Sequence, residues 1–489
     1  MTSLPSEGGV GGVDQSERSD LAASSGQSGR TARARTAFVA LAISTVATSV
    51  ALLGGTHLTA GSYFCALVIA YGSFAVLVFA LHHRAAVPAW PVLVAGGALL
   101  IVSMVQPPIE SGDVWSYASY GRMVAVHHDS PWDHVPANYP HDPYTPRVVH
   151  FWRHTPSVYG PVFALPAAAV MAVAGTNATV ARLGFQLLAA LSVAAALLLV
   201  GRETRWDPTA LAILAVNPLV PICVVNAGHN DAWVGLLLLG AVLLATRRRW
   251  AWAGVFVALA AMIKVTALLA LIALGVWALR RAGPRAAAKL LGWAVGVCIA
   301  LVAAAGGSDV VRAMRWNSWR MTSGNLWGQA RNWFFLQVGG AGHADQVRLA
   351  TVAVIVTIAL AGYLVARHRR AAHPALLVGL TVLAYALGSA YVWPWYVTWG
   401  LIPVALCPRA PTTRLLVAVG AVLELGAVPY VHFTATASPG WDPALRIVGL
   451  VNEALPWILA ALAAGVVVVG SYRWRDAHAI SSEQRSPRW

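Results

Sequence analysis

Long apolar segments recur along almost the whole of this 489-residue chain, and they constrain its fold more than any other feature. The first begins near residue 37 and the last ends near residue 470, and most are long enough to cross a bilayer, which takes about 20 helical residues. Only 11% of the residues are charged, whereas a soluble domain carries about 25%. An ordinary soluble enzyme is therefore excluded, and the sequence predicts an all-α polytopic membrane protein.

Arginines between the apolar segments predict the topology, because positive charge accumulates in cytoplasmic loops. Both termini are expected in the cytoplasm, with tails at 1–36 and 471–489 around a membrane domain at 37–470. We expect the first tail to be disordered, because it has no apolar stretch to bury. Since the arginines mark orientation, the net charge of +15 does not indicate nucleic-acid binding.

About twelve crossings follow from this rule, together with two partial segments. The segment at 160–175 is predicted to be re-entrant, and 251–279 a hairpin of two short helices hinged near Lys264. Two long outer loops are expected at 106–157 and 306–347. The crossings are predicted at 37–54, 62–81, 87–105, 180–200, 209–227, 232–246, 288–305, 348–366, 374–391, 395–407, 414–430 and 448–470.

The first outer loop opens with two acids, Glu110 and Asp113. Carboxylates at a membrane surface can supply a general base or a metal ligand, although Asp113 could instead cap a helix that begins at Val114. Behind them the loop has aromatic residues and a fixed cation, which suit a sugar or, alternatively, an interfacial helix. These residues are Trp115, Tyr117, Tyr120 and Arg122.

Polar residues inside the apolar segments are a second group of candidates. The triplet His229, Asn230 and Asp231 lies at the outer turn between two predicted spans, where polar side chains facing lipid are costly. Lys264 stands alone in a long apolar segment, so we expect an anionic partner, either a donor phosphate or an acid such as Asp231; snorkelling to the interface is the alternative.

Aromatic residues are concentrated at 391–399, including Trp395 and Tyr396. They could form an aromatic belt at the membrane surface or a wall that stacks on a substrate. The chain has no GxxxxGK[ST] phosphate loop and no HExxH or cysteine–histidine zinc pattern. Direct nucleotide hydrolysis and a zinc centre are therefore not supported. The sequence assigns no cofactor, and a divalent metal is the alternative left open.

Five motifs, in order, resemble the glycosyltransferase C superfamily, and more narrowly the actinobacterial polyprenol-phosphate-mannose-dependent α-1,6-mannosyltransferases. They run over about residues 87–410, most of the membrane part. The motifs are SGDVWSYASYGRM at 111–123, SVYGPVF at 157–163, NAGHNDAWVGLLLLGA at 226–241, AAMIKVTALLAL at 260–271 and YVWPWYVTW at 391–399.

The resemblance implies an inverting transfer of mannose from a polyprenyl-phosphate donor to a glycan or glycolipid acceptor, at the outer face of the plasma membrane. The family's loop aspartate corresponds to Asp113 as the base, with Glu110 as its competitor. Candidates for binding the donor phosphate are Lys264, Arg122, Arg320 and Arg331. His229, Asn230 and Asp231 would line the pocket near the lipid phosphate or the sugar. Further substrate-binding candidates are Tyr159, Trp395 and Tyr396. A flippase for lipid-linked sugars is the alternative function.

Overall fold

The computed structural model describes residues 15–428 except 84, 317, 323–324 and 339–341, and six residues between 450 and 461. It is 78% helical, without strands in its described part, which confirms the all-α class. Six helices are long and apolar enough to cross a membrane, or seven if a bent pair is one span. The protein is a polytopic membrane protein, and the count of twelve crossings stays a prediction. Apart from those six residues, the predicted span at 448–470 and the tail at 471–489 lie outside the described residues.

The first three helices, α1 (Gln15–Gly54), α2 (Ala60–His82) and α3 (Ala89–Val105), pack against one another. Thr59 caps α2 by accepting a hydrogen bond from the Ser62 backbone N–H at 3.1 Å. The helix α1 starts at Gln15, inside the predicted cytoplasmic tail 1–36. Residues 15–36 contain no proline, so nothing interrupts helical hydrogen bonding there.

The loop predicted as the first outer loop contains helices α4 (Asp113–Ala125) and α5 (His150–Arg153), and α6 (Pro161–Ala174) follows it. The segment predicted to be re-entrant is α6, whose 14 residues are fewer than a crossing requires. Helices α4 and α6 approach closely at Gly121, where a Cβ atom would stand 2.4 Å from the Ala167 carbonyl oxygen. The outer loop is therefore packed onto α6.

Three helices, α7 (Ala178–Glu203), α8 (Pro208–Ala215) and α9 (Asp231–Thr246), follow, with a π-helical stretch at Val220–Asn226 before α9. The predicted span at 209–227 is bent by 50°, because Pro218 and Pro221 remove backbone donors from it. The Asn226 side chain accepts a hydrogen bond from the Ile109 N–H at 2.9 Å and donates to the Ser103 carbonyl at 3.0 Å. It thereby fixes the start of the first outer loop against the turn before α9.

Two short helices, α10 (Trp250–Ala261) and α11 (Ala270–Ala282), are separated by an unwound stretch and a 3-10 turn at Val265–Leu269. The break lies at Lys264, where the hinge was predicted. Its backbone is paired inside the protein, since the Val162 N–H donates to the Met262 carbonyl at 3.1 Å. Non-helical backbone at membrane depth requires such partners.

The remaining helices complete the bundle, and the predicted span at 395–407 is reduced to α17, after a 3-10 turn at Pro394–Val397. Helix α17 packs between α9 and α16, which brings the aromatic run beside Asp231. These helices are α12 (Pro284–Ala304), α13 (Ser308–Arg315), α14 (Leu326–Val338), α15 (His343–Arg367), α16 (Pro374–Gly388), α17 (Thr398–Val404) and α18 (Pro411–Ala427).

Candidate active site

The first outer loop presents the Asp113 carboxylate at the start of α4. Gly112, not Asp113, is the N-cap of this helix, and no side chain caps it, so the capping alternative for Asp113 is wrong. The side chain is 20% exposed, and its Oδ2 lies 3.6 Å from Nε2 of His229. An acid that is open on one side and faces a buried imidazole on the other is suited to proton transfer.

The His229 ring is fully buried and held on three sides. Its Nδ1 lies 2.5 Å from the Cys223 carbonyl oxygen, and its Nε2 lies 3.2 Å from Ser111 Oγ. Trp395 stacks on the ring with centroids 4.1 Å apart. Trp395 is itself only 5% exposed, so it packs inside the protein and not in a lipid-facing aromatic belt.

Lys264 and Asp231 form a buried ion pair, with the ammonium 2.7 Å from the carboxylate. Asp231 is one of the two partners that the sequence predicted for Lys264. The Asp231 carboxylate also accepts a hydrogen bond from Trp399 Nε1 at 2.6 Å. The ammonium stands 4.6 Å from the Tyr396 ring centroid and 5.7 Å from that of Tyr159, a favourable cation–π arrangement. The charge of Lys264 is therefore offset within the protein.

Asn230 lies between His229 and Asp231 in the chain and is completely buried. Neither its amide nitrogen nor its amide oxygen has a hydrogen-bond partner among the described residues. Because an unsatisfied buried polar group costs about 1–3 kcal/mol, this amide has unused capacity to donate and to accept next to the ion pair.

The aromatic residues of α4 do not form the exposed sugar-binding face that the sequence suggested. Tyr117 and Tyr120 are at most 1% exposed, because their spacing puts them on the side of α4 that faces α6. The Tyr117 ring packs edge-on against Tyr159, with centroids 5.2 Å apart, and the Tyr120 hydroxyl donates to the Thr155 carbonyl. Trp115 is partly exposed and is the aromatic residue of this group that a ligand could reach.

Arg122 is part of a separate buried network in the outer loop. Its Nε donates to Asp142 at 2.6 Å, and His127 Nε2 lies 2.9 Å from the same carboxylate oxygen. Burial opposes ionisation of Asp142, but the hydrogen bonds from Arg122, the Tyr144 backbone N–H and His127 hold its pKa below the ordinary value. Arg122 therefore stabilises the loop and is not a cation available for a donor phosphate.

The second outer loop contributes Arg320, whose guanidinium carbon lies 2.8 Å from the Phe151 ring centroid. No carboxylate forms an ion pair with Arg320 among the described residues, and burial lowers its pKa to about 10. Arg331 instead hydrogen-bonds to the side chain of its neighbour Asn332 at 3.0 Å. Of the four predicted phosphate-binding cations, Arg320 and Arg331 are both partly buried and form no ion pair with a carboxylate in the described part, and the Arg320 Nε also has no hydrogen-bond partner there.

Glu110 belongs to a second cluster, which Cys223 connects to His229. It accepts hydrogen bonds from Tyr63 and from the Cys223 thiol, both at 2.8 Å, and Tyr71 donates to Glu424 in the same cluster. One ligand atom each of Glu110, Cys223 and Glu424 lie within 4.8 Å of one another. In the described region no basic side chain pairs with either acid, so a shared proton or a bound cation must offset their charge.

Sequence reasoning missed Glu424 in this cluster. The signal was present, because Glu424 is the one acid in the apolar run 414–430, and an ionisable residue inside a span has a partner or a function. Cys223 contacts both clusters, Glu110 through its thiol and His229 through its carbonyl oxygen.

Two family models match the chain. Residues 22–280 match one described as the alpha-(1->6)-mannopyranosyltransferase N-terminal domain, and residues 324–429 match the MptB C-terminal domain. The matched ranges include Asp113, His229, Asp231 and Lys264 in the first region, and Arg331 with the aromatic run in the second.

Several curated proteins are similar to this chain. They include alpha-(1->6)-mannopyranosyltransferase A of Corynebacterium glutamicum, 29% identical over 179 residues that cover 36% of each protein. Alpha-(1->6)-mannopyranosyltransferase B of the same organism is 24% identical over 63% of this chain and 57% of the relative. An alpha-(1->6)-mannopyranosyltransferase of Mycobacterium tuberculosis is 26% identical over 64% of each. The matches thus span between about a third and just under two thirds of the relatives' own length.

Proposed function

The chain belongs to the alpha-(1->6)-mannopyranosyltransferase family, and on this basis we propose that it is a membrane mannosyltransferase. It moves a mannosyl group from a polyprenyl-phosphate donor to a lipid-anchored or growing α-1,6-mannan acceptor. The acceptor oxygen attacks the anomeric carbon while the bond from that carbon to the phosphate oxygen breaks. A β-linked mannosyl phosphate becomes an α-mannoside, and the phosphate leaves with the electron pair.

The carboxylate of Asp113 carries this proposal, because it is partly exposed and lies 3.6 Å from a buried histidine. As general base, it takes the proton of the acceptor hydroxyl while that oxygen attacks. The leaving phosphate needs no strong protonation, so one positioned base together with cations on the phosphate is sufficient chemistry.

Arg320 is the cation that we propose for the donor phosphate. Lys264 and Arg122 already have carboxylate partners at 2.7 and 2.6 Å, and a phosphate would have to displace them. Asp113 and Arg320 both lie within electrostatic range of Tyr391. We propose Trp115 as the aromatic contact for a sugar.

We propose that the reaction takes place at the outer face of the plasma membrane, because the arginine pattern predicts both termini in the cytoplasm. In this proposal the transferase domain is 37–470, and its two long loops, 106–157 and 306–347, are extracytoplasmic. The acceptor then reaches Asp113 from the outside, while the lipid of the donor stays in the bilayer.

Transfer by the purified protein in lipid vesicles tests this proposal, with radiolabelled polyprenyl phosphate mannose and a short α-1,6-mannoside. We expect an acceptor longer by one α-1,6-linked mannose, and a loss of about 10²–10⁴-fold in rate for Asp113→Asn. Glu110→Gln is the matched control and should remain active; if it alone is inactive, the base is Glu110. Movement of intact donor across the bilayer without transfer would identify a flippase and refute the proposal.

A further inference from the structure

His229 has a role that differs from lining a pocket. We infer that His229 is a positioning residue for Asp113, whose carboxyl group donates a hydrogen bond to it once that group has taken the proton. This inference rests on the proposed function, in which Asp113 is the base. The His229 side chain is completely buried, so it acts through Asp113 and not on the substrate.

The backbone around Cys223 determines which nitrogen of His229 carries the proton. A carbonyl oxygen can only accept a hydrogen bond, and the Cys223 carbonyl lies 2.5 Å from Nδ1, so Nδ1 is protonated. In the neutral ring the lone pair is then on Nε2, the nitrogen that faces Ser111 and Asp113. Cys223 belongs to the π-helical stretch Val220–Asn226, a kind of local distortion that is frequent at functional sites.

The ring cannot turn away from Asp113 without losing its contacts. Trp395 covers one face at 4.1 Å, Ser111 Oγ lies 3.2 Å from Nε2, and Cys223 holds the opposite nitrogen. The 3.6 Å gap between Nε2 and Asp113 Oδ2 is slightly longer than a hydrogen bond. Catalytic hydrogen bonds often tighten only when substrate is bound.

The proton follows one path in this arrangement. As the O–H bond of the acceptor breaks, its oxygen forms the new bond to the anomeric carbon, and the proton passes to Asp113. The protonated carboxyl then donates to Nε2 in place of the Ser111 hydroxyl, so the proton that Asp113 has gained is held in a hydrogen bond inside the protein. The phosphate retains the electrons of the broken bond, and no further reactant is needed.

Two substitutions distinguish the contributions of the two ring nitrogens of His229. His229→Asn keeps a donor near Nδ1 for the Cys223 carbonyl but removes the group that faces Asp113, whereas His229→Gln keeps a polar group near Nε2. We expect His229→Asn to lower kcat by about 10- to 100-fold, the loss typical of a buried hydrogen-bonding group left without its partner, with the donor KM unchanged. His229→Gln should retain about tenfold more turnover than His229→Asn.

The double variant Asp113→Asn/His229→Asn shows whether His229 acts through Asp113. We expect it to be no slower than Asp113→Asn alone, since a positioning residue has no effect once the base is gone. A further loss equal to that of the single His229→Asn variant, or a raised KM, would overturn the inference while Asp113 remained the base. Wild-type turnover by Asp113→Asn alone would instead refute the proposed mechanism.

Nitrogen-15 NMR of histidine-labelled wild-type protein tests the tautomer without relying on a folded Asn variant. The His229 signal is assigned by its absence in His229→Gln. We expect the shifts of a neutral ring protonated at Nδ1, and a ring protonated at Nε2 would overturn the inference.

Discussion

Lys264 and Asp231, 33 positions apart in the chain, are joined by two contacts of 2.7 and 2.9 Å between the ammonium and both carboxylate oxygens. The pair connects the break after α10 to the first residue of α9, and Trp399 ties α17 to the same carboxylate. A buried ion pair with satisfied hydrogen bonds adds little net stability, but removal of one partner leaves an isolated buried charge. The pair therefore determines how these three helices meet beneath the site.

Neutralising one member of this pair should be more harmful than neutralising both. Lys264→Met and Asp231→Asn should each lower the free energy of unfolding by about 3–5 kcal/mol. The double variant should recover most of that loss, because no charge remains and the Asn amide oxygen can still accept from Trp399. Thermal unfolding in detergent measures this, and two losses that simply add would contradict the ion pair.

Removal of the Arg320 charge should weaken donor binding. We expect Arg320→Gln to raise the donor KM by about 10- to 100-fold with little change in kcat, because a hydrogen bond to a charged group contributes about 1.5–3 kcal/mol. Arg331→Gln is the matched control, since Arg331 pairs with Asn332 and should matter less. Equal KM values for both variants would exclude Arg320 as the phosphate ligand.

A methyl group at Gly160 should displace the unwound backbone before Lys264. A Cβ atom there would lie 2.5 Å from the Met262 carbonyl oxygen, so Gly160→Ala must push α6 and α10 apart. We expect a lower unfolding temperature and reduced transfer. Gly292→Ala, in α12 with no atom near the added carbon, should be neutral or stabilising by up to about 1 kcal/mol; similar behaviour of both variants would refute the close approach.

The Asp142 network makes the outer loop sensitive to acid. Because the Asp142 pKa is lower in the folded protein, its ionised form contributes stability above the unfolded value of about 3.9. That contribution is lost as the pH falls through the lowered folded value. Hydrogen exchange in residues 140–148, corrected for the intrinsic effect of pH, should therefore rise in the wild type as the pH falls below about 4.

The variant Asp142→Asn provides the comparison for this experiment. It should exchange faster already at pH 7, because Arg122 and His127 lose their anionic partner. It should also lack the additional rise at low pH that comes from this carboxyl. An acid-induced rise of the same size in both proteins would assign the effect to another group.

Much of the membrane architecture could be predicted because its signals are local. The partial segment α6 and the break at Lys264 followed from proline, length and arginine placement. The spans predicted at 209–227 and 395–407 are less regular in the structure, because prolines bend the first and shorten the second. The start of α1 at Gln15 lies well before the apolar stretch that predicts the first crossing, because helical hydrogen bonding can continue into polar residues.

The site was predicted only in part, for a different reason. The sequence predicted Asp113, His229 and Lys264 as site residues, because polar groups among apolar residues are costly. Their partners could not be assigned in the same way: Arg122 faces Asp142, Tyr117 is buried against Tyr159, and Glu110 lies with Glu424. Each of these contacts depends on which faces of two helices meet.

By itself, the sequence determined that this protein is a helical membrane protein and which polar residues interrupt its apolar segments, because hydrophobicity and backbone hydrogen bonding act over short stretches of chain. Only the tertiary structure decided that Asp113 meets His229, that Asp231 neutralises Lys264, and that Arg320 has no anionic partner in the described part. Those relationships join residues that are far apart in the chain, and the packing of α4, α9 and α17 sets their distances. Charge and proton transfer depend on these distances, which no local pattern encodes.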